Sequence, residues 1–245
     1  MFTEPHHAAA TLAEAAFTRL RADILGVKFR PGEKMHVERL RHEYGVSATP
    51  LREALSKLSS LELVVAEGPR GFRVAPVSIE NLLDITKTWA WVEGAALRVA
   101  FATGDRHWEA QIVAAAHRLK NCPKSDGANL SDEWYRENRE FHDALATACN
   151  SRQTMAFRAQ LYDLSDRYRR LSVRSGLSGR DFDAEHQRIM EAALARDADA
   201  AVAFTIEHFI ETSRVILAGE LQDDAEAARI IENLRRDIRA GTELS

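Results

Sequence analysis

The chain has 245 residues, of which 45% are hydrophobic and 29% charged, and its formal net charge is −4. This composition is typical of a soluble globular protein, and the length allows one large domain or two modest ones. No apolar run approaches the length that spans a bilayer, the N-terminus lacks a signal-peptide pattern, and the two cysteines, Cys122 and Cys149, form no CxxC pair. These features argue against a membrane protein, a secreted protein and a disulfide-rich scaffold, and we expect a cytoplasmic protein with reduced thiols.

The first third of the chain has the element order of a winged helix-turn-helix. We expect a flexible tail over residues 1–11 and a DNA-binding domain over 12–76. Pro31-Gly32 ends the first predicted helix, Gly45 turns the chain after the second, and Pro50 suits the first turn of the third. Apolar spacing and turn residues together predict helices at 12–27, 37–44 and 47–60 and strands at 63–66 and 72–75.

The remaining residues, 77–245, are predicted to form an all-α helical bundle. Amphipathic patterns predict helices at 78–103, 105–121, 130–149, 152–175, 181–196, 198–219 and 223–240, with no strand signal among them. The predicted fold class is therefore mainly α, a winged helix-turn-helix followed by a helical bundle.

Charge is distributed unevenly between these two parts. Residues 1–76 hold 11 basic and 9 acidic side chains, a net charge of +2, and the remainder carries a net charge of −6. A slightly basic N-terminal part on an acidic remainder fits a protein in which only the N-terminal part meets phosphate.

Five residues are candidates for contact with DNA. Ser47 and Thr49, at the first turn of the predicted third helix, offer hydroxyls to phosphate, and Arg52 can fork onto guanine O6 and N7. Arg70 and Gly71, at the tip of the predicted hairpin, suit a wing that follows the DNA backbone or enters the minor groove. Helix chemistry alone allows another interpretation, in which the two hydroxyls are helix caps and the arginine pairs with the neighbouring glutamate or with solvent.

The order of these pieces resembles the DNA-binding domain of the GntR family. Pro31-Gly32-Glu33, the run from Tyr44 to Leu55, Leu63-Val64 and Arg70-Gly71 follow that family's pattern "PG…GVSRTPVREAL…GLV…RG" with almost no gaps. The resemblance implies that Thr49, Arg52, Arg70 and Gly71 contact DNA. Ala48 departs from the pattern, because most members carry there an arginine that touches DNA. Its loss is expected to cost about 1–3 kcal/mol of affinity or to shift the half-site preference.

Residues 78–219 resemble the FCD ligand-binding domain of the FadR subfamily. The similarity is carried by Asn138-Arg139-Glu140-Phe141-His142 (the family's "DxxFH"), Asn150, Glu185-His186, the run 193–198, and His208, 22 residues after His186. The resemblance implies that Asn138, His142, His186 and His208 hold a divalent transition metal, with Zn, Ni and Mn all open. Asn138 and His142 share one helix face, and neutral imidazoles from three helices can form such a site. The alternative for each histidine is a satisfied core residue.

Asn138 stands where the family most often has aspartate. Its amide oxygen can coordinate a metal ion but brings no negative charge, so the metal affinity is expected to be lower. We nevertheless expect about one divalent ion per chain.

The resemblance also implies a small organic acid as effector, bound at the open positions of the metal. A carboxylate favours cationic partners, and Arg170 and Arg174 are candidates on one helix face with Arg167. The alternative is that this basic stripe faces solvent or a dimer partner. Trp89 stands where relatives often carry an arginine that faces the effector, which suggests a less charged or aromatic ligand.

We therefore expect a transcriptional regulator and not an enzyme. It would form a homodimer through the helical part, bind a pseudo-palindromic operator in double-stranded DNA, and change that binding with the effector. The alternative is a metal-dependent, hydrolase-like enzyme that uses His142, His186 and His208, although no HExxH-like motif supplies a general base. A purely structural helical bundle would leave the N-terminal part unexplained.

Overall fold

The structure is a computed structural model that describes residues 5–126, 129–172 and 180–243. These residues contain ten α-helices, one three-stranded sheet and one two-stranded hairpin, so the predicted mainly α class is confirmed. The chain divides into two compact units, an N-terminal unit that ends at Ser78 and a C-terminal unit that begins at Ile79. Among the described residues, every helix is too short or too polar to cross a bilayer.

The N-terminal unit is a winged helix-turn-helix. Its strand β3 lies in the centre of the sheet, antiparallel to both β1 and β2. Each helix buries one apolar face, represented by Leu20, Leu40 and Leu55 in the core of this unit, because removing these side chains from water drives the packing. The elements are α1 (Pro5–Leu25), β1 (Lys34–Met35), α2 (Val37–Tyr44), α3 (Ala48–Ser60), β2 (Val64–Ala66) and β3 (Phe72–Val74).

Two features of this unit differ from the sequence prediction. Helix α1 begins at Pro5, so residues 5–11 are helical and do not belong to a tail over 1–11; proline suits a first helical turn, and the alanines that follow favour helix. Strand β1 was not predicted, because two residues carry no periodicity that could reveal a strand. Gly45 ends α2 in the left-handed region, with φ +65°, as its position predicts.

The C-terminal unit is a bundle of seven described helices. Helix α4 packs against α7, α9 and α10, and α5 packs against α6 and α8. Leu97, Trp134 and Phe141 are among the side chains of the core that these helices share. The helices are α4 (Ile79–Thr103), α5 (Arg106–Asn121), α6 (Asp132–Ala146), α7 (Arg152–Ser172), α8 (Phe182–Leu194), α9 (Ala198–Leu221) and α10 (Asp224–Glu243).

Side-chain caps determine where three of these helices begin. Ser131, Asp181 and Asp197 each accept a hydrogen bond from a backbone N–H in the first turn of α6, α8 and α9. Such a cap satisfies one of the amides that a helix start leaves unpaired. The three helices that carry the candidate histidines are therefore each fixed in register at the N-terminal end.

The segment before α6 and the end of α6 also differ from the prediction. Strands β4 (Ser125–Asp126) and β5 (Asn129–Leu130) form a short antiparallel hairpin where no strand was predicted, since two-residue strands show no alternation. The predicted helix over 130–149 is divided, because α6 stops at Ala146 and a 3-10 turn follows. The predicted end of α7 at residue 175 lies outside the described residues.

Candidate functional site

The N-terminal end of α3 presents polar side chains on a helix whose other face is buried. Ser47, Thr49 and Arg52 are exposed. Ser47 occupies the N-cap position, but its hydroxyl makes no capping hydrogen bond, and no described residue forms a hydrogen bond or ion pair with the Arg52 guanidinium. These groups are chemically suited to phosphate and base edges. The buried face consists of Pro50, Leu51, Ala54, Leu55 and Leu58.

Arg70 and Gly71 lie in the turn between β2 and β3. Arg70 is exposed, and Gly71 has φ +94°, a conformation that glycine adopts without strain. At the base of this turn, Arg73 forms an ion pair with Glu67 at 3.0 Å and donates a hydrogen bond to the Gly32 carbonyl at 2.5 Å. The wing thus has a fixed base and an exposed cationic tip.

Three histidines from three helices meet in the core of the C-terminal unit. His142 lies on α6, His186 on α8 and His208 on α9, and one potential ligand atom of each lies within 4.8 Å of the others. The ring centroids are 5.6 Å apart for His142 and His186, 5.2 Å for His142 and His208, and 4.8 Å for His186 and His208. All three residues are buried. We call this cluster the three-histidine site.

Burial keeps these imidazoles neutral. Loss of solvation holds the pKa values of His142 and His208 well below the ordinary histidine value and lowers the pKa of His186 to about 3. The nearby positive charge of Arg169 lowers all three pKa values further. A neutral imidazole carries the lone pair that a metal ion binds, so the site is in the ligating form at neutral pH.

Several ring nitrogens of this site have no hydrogen-bond partner. Among the described residues, nothing pairs with either nitrogen of His142 or with Nδ1 of His186. Each buried polar atom left unpaired costs roughly 1–3 kcal/mol, so such atoms indicate a functional use. Three neutral imidazoles, two of which have unpaired nitrogens, fit a first-row transition metal ion.

A carboxylate fixes the protonation of His208. Nδ1 of His208 lies 2.6 Å from Oε2 of Glu185, and Arg180 holds the same carboxylate with bonds of 2.8 and 2.6 Å. Arg180 Nη2 also lies 3.3 Å from Nδ1, but the shorter contact to an acceptor shows that Nδ1 carries the proton. The lone pair is then on Nε2, the arrangement that second-shell carboxylates impose on metal-binding histidines.

Asn138 points its amide oxygen away from the histidines. Oδ1 accepts hydrogen bonds from the Tyr162 hydroxyl at 3.1 Å and from Arg169 Nη1 at 3.0 Å. The amide nitrogen, Nδ2, lies 3.1 Å from Nε2 of His186. Asn138 is therefore beside the three-histidine site, as its spacing to His142 predicts, with its donor group facing the nearest ring.

Arg169 is a buried cation beside the same site. Its guanidinium lies 4.7 Å from the Tyr162 ring centroid, and its Nη2 is 3.2 Å from Oδ1 of Asp166. That ion pair is not aligned as a hydrogen bond: Nε and Nη2 of Arg169 and Oδ1 of Asp166 all lack hydrogen-bond partners among the described residues. A buried guanidinium with unused donors is suited to binding an anion.

Trp89, one of the predicted effector contacts, lies in the core. Its indole stacks on Phe209 with centroids 3.9 Å apart, and its Nε1 donates to Glu93 at 3.2 Å. Phe209 in turn lies 5.3 Å, centroid to centroid, from the ring of His142. Trp89 thus approaches the three-histidine site through Phe209.

The other predicted effector contacts are on α7 and beyond its described end. Arg170 pairs with Asp132 at 2.5 Å and Asp166 at 2.9 Å, and its guanidinium lies 3.8 Å from the centroid of Tyr135. Arg174 lies outside the described residues. The described structure therefore shows Arg170 shared between two carboxylates.

A buried ion pair that sequence reasoning missed supports His142. Arg158 and Glu93, 2% and 0% exposed at their side chains, form two hydrogen bonds of 2.6 and 2.8 Å. Arg158 also donates to the carbonyl of His142 at 2.9 Å. The available signal was a charged side chain at a core-facing position of a helical pattern, which requires a buried partner.

The chain matches two families of known proteins, one in each unit. Residues 12–74 match "Bacterial regulatory proteins, gntR family", and residues 84–211 match "FCD domain". The HTH-type transcriptional regulator BphR of Paraburkholderia xenovorans strain LB400 is 38% identical over 83% of this chain and 84% of its own length. The HTH-type transcriptional repressor GlaR of Escherichia coli K12 is 35% identical over 80% of this chain and 92% of its own.

Solved structures share the fold at lower sequence identity. Escherichia coli McbR/YncC has a TM-score of 0.71 at 19% identity, covering 84% of this chain and 96% of its own. A structure described as a putative transcriptional regulator GntR from Rhodococcus sp. RHA1 has a TM-score of 0.69 at 20% identity, covering 84% and 97%.

Proposed function

The chain belongs to the GntR family of bacterial transcriptional regulators and has an FCD domain, and from this premise we propose that an organic anion and a divalent metal ion, bound at the three-histidine site, control its binding to operator DNA. The observation that carries the proposal is the convergence of His142, His186 and His208, which are buried and neutral. Both ring nitrogens of His142 and Nδ1 of His186 have no hydrogen-bond partner among the described residues. The relatives are regulators and not enzymes, so the hydrolase-like alternative is set aside.

DNA recognition is assigned to the exposed end of α3 and to the wing. Ser47 and Thr49 would contact phosphate, and Arg52 would read a guanine edge in the major groove. Arg70 and Gly71 would contact the backbone or the minor groove. We propose a homodimer that places two such units on a pseudo-palindromic operator in the cytoplasm.

The three histidines would hold the metal ion, with Glu185 orienting His208. Zn, Ni and Mn all accept imidazole ligands. When bound, the ion would supply positive charge and open coordination positions for an anion. Phe209, backed by Trp89, gives the site an apolar wall suited to the hydrocarbon part of an organic acid.

A carboxylate is the proposed anionic group of the effector, because Arg169 is a buried cation beside the site with donors that have no hydrogen-bond partner among the described residues. Arg170 and Arg174 are proposed partners for a second carboxylate. The partner Asp132 is 89% exposed at its side chain, and such surface ion pairs contribute little. Arg170 can therefore exchange Asp132 for a ligand at small cost.

The first experiment measures DNA binding by fluorescence anisotropy on a duplex from upstream of the protein's own gene. We expect specific binding that Arg52→Ala weakens by about 1–3 kcal/mol, roughly 5- to 150-fold. The matched control is Arg229→Ala, which removes an exposed arginine paired to Glu226 on α10 and should leave the affinity unchanged. Equal affinity for this duplex and a scrambled one would contradict the assignment.

The second experiment measures the metal and its effect. Elemental analysis of the purified chain should find about one divalent ion, which His142→Ala should remove. In the DNA assay with zinc, at least one of a panel of organic acids should change the affinity of the wild type. His142→Ala should bind DNA without that response, and an unaltered response would exclude the three-histidine site as the sensor.

A further inference from the structure

We infer that Asn138 stands outside the coordination sphere of the metal and that an anion held by Arg169 supplies the missing negative ligand, so that metal and anion each raise the affinity for the other. This inference rests on the proposed function and specifies how the three-histidine site is regulated. It follows from three observations on Asn138, on the charges around the site, and on the unused donors of Arg169.

The hydrogen bonds of Asn138 determine which way its amide faces. Arg169 Nη1, 3.0 Å from Oδ1, can only donate, because a guanidinium has no acceptor. Turning the amide over would place its NH₂ group against this donor. The oxygen therefore stays on the Arg169 side, and the group 3.1 Å from His186 is an NH₂, which is not a metal ligand.

The described residues around the three-histidine site provide no free negative charge for a dication. The carboxylate of Glu185 is held by Arg180 at 2.6 Å. Asp166 is shared by Arg169 at 3.2 Å and Arg170 at 2.9 Å. Three neutral imidazoles beside a buried guanidinium thus leave a divalent ion without charge compensation, and low-dielectric surroundings make that costly.

Arg169 offers the donors that an anion would need to complete the site. Its Nε and Nη2 are buried and lack hydrogen-bond partners among the described residues. A carboxylate placed between this guanidinium and the metal ion would satisfy both cations at once. Because either cation alone leaves charge unbalanced, the two ligands should bind with positive coupling, and linkage makes the coupling reciprocal.

Isothermal titration calorimetry of the full chain, stripped of metal, tests this coupling with Zn²⁺ as titrant. The buffers contain 50 mM chloride, acetate or benzoate at equal ionic strength. We expect Zn²⁺ to bind the wild type about 10-fold or more tightly in one of the carboxylates than in chloride. Arg169→Gln should bind Zn²⁺ more tightly than the wild type in chloride and should lose the carboxylate effect.

Variants at position 138 test the amide itself. Asn138→Ala should change the Zn²⁺ affinity in chloride less than about 3-fold, whereas Asn138→Asp, by adding a negative ligand, should raise it by about 100-fold. Asn233→Asp adds the same charge on the exposed side of α10 and should have no effect. A 10-fold loss of affinity in Asn138→Ala would show that Asn138 is a ligand and overturn the inference.

The outcomes separate this inference from the proposed function. Tight Zn²⁺ binding by the wild type that is equal in chloride and in both carboxylates would overturn the coupling and leave the metal site standing. Absence of Zn²⁺ binding in the wild type and in Asn138→Asp, with both shown to be folded by circular dichroism, would overturn the metal site and the coupling together.

Discussion

The exposed end of α3 and the three-histidine site differ in what holds their functional groups in place. Around α3, the side chains assigned to DNA are exposed, and the supporting structure is local: a cap position, a proline in the first turn and a glycine after α2. At the three-histidine site, the histidines, Asn138 and Arg169 are buried, and side chains from other helices support them. The end of α3 is therefore held by residues close to it in sequence, whereas the three-histidine site is held by residues that are distant in sequence and close in space.

This difference has consequences for how the two regions respond to substitution. An exposed side chain such as Arg52 can be replaced with little effect on the rest of its unit. Arg158, which is buried, and Glu185, which is half-buried, each contact a histidine and also depend on a charged partner of their own. Changes there are expected to propagate to stability and to ligand binding together.

The largest expected effect is on stability, from Arg158→Ala. The substitution leaves the buried Glu93 carboxylate without its cation, with only the Trp89 indole N–H as hydrogen-bond donor, which should destabilise the C-terminal unit by about 3–5 kcal/mol. All four tryptophans, at positions 89, 91, 108 and 134, lie in this unit, so urea unfolding followed by tryptophan fluorescence reports it alone. Arg98→Ala, which breaks an exposed pair with Asp199, is the control and should be nearly neutral. Equal stability of the two variants would mean that the buried Arg158–Glu93 pair contributes no more to stability than the exposed Arg98–Asp199 pair.

The next effect is a pH dependence of the stability of the C-terminal unit. Without metal, its unfolded state takes up protons on His142, His186 and His208 near pH 6.5, whereas the folded state keeps them neutral to much lower pH. Stability is therefore fully present above about pH 6.5 and falls as the pH decreases towards the folded pKa values, by up to about 1.4 kcal/mol per pH unit and histidine.

Urea unfolding at pH 7.5 and 5.5, with a chelator present, measures this loss by tryptophan fluorescence. His142→Leu should reduce the pH dependence by the share of one histidine. A C-terminal unit equally stable at both pH values would contradict the burial of three neutral imidazoles.

The same contrast explains what the sequence could predict. Helical periodicity and turn residues were sufficient for the fold class and for most helices, because both are local signals. The candidate histidines could be named from a family resemblance, and the structure brings them together. The buried charged pairs around them could not be predicted: Arg169 donates a hydrogen bond to Asn138 across 31 residues of sequence, and Arg158 pairs with Glu93 across 65. Such pairs depend on how helices pack, which periodicity does not report.

The smallest effect concerns the two positions at which the chain departs from its family, Ala48 and Asn138. Ala48 is the first residue of α3, between exposed Ser47 and Thr49, so Ala48→Arg should be free to reach DNA. We expect it to create a preference for guanine at one base pair of each half-site, equivalent to about 1–3 kcal/mol, in selection from a duplex library randomised in the half-site. Ala48→Lys, the control, should strengthen binding to all sequences alike, because its ammonium lacks the guanidinium fork. An unchanged base preference in Ala48→Arg would mean that residue 48 contacts only phosphate. In that case the geometry of the protein–DNA complex, and not the residue type alone, would determine which bases an arginine at this exposed helix end can contact.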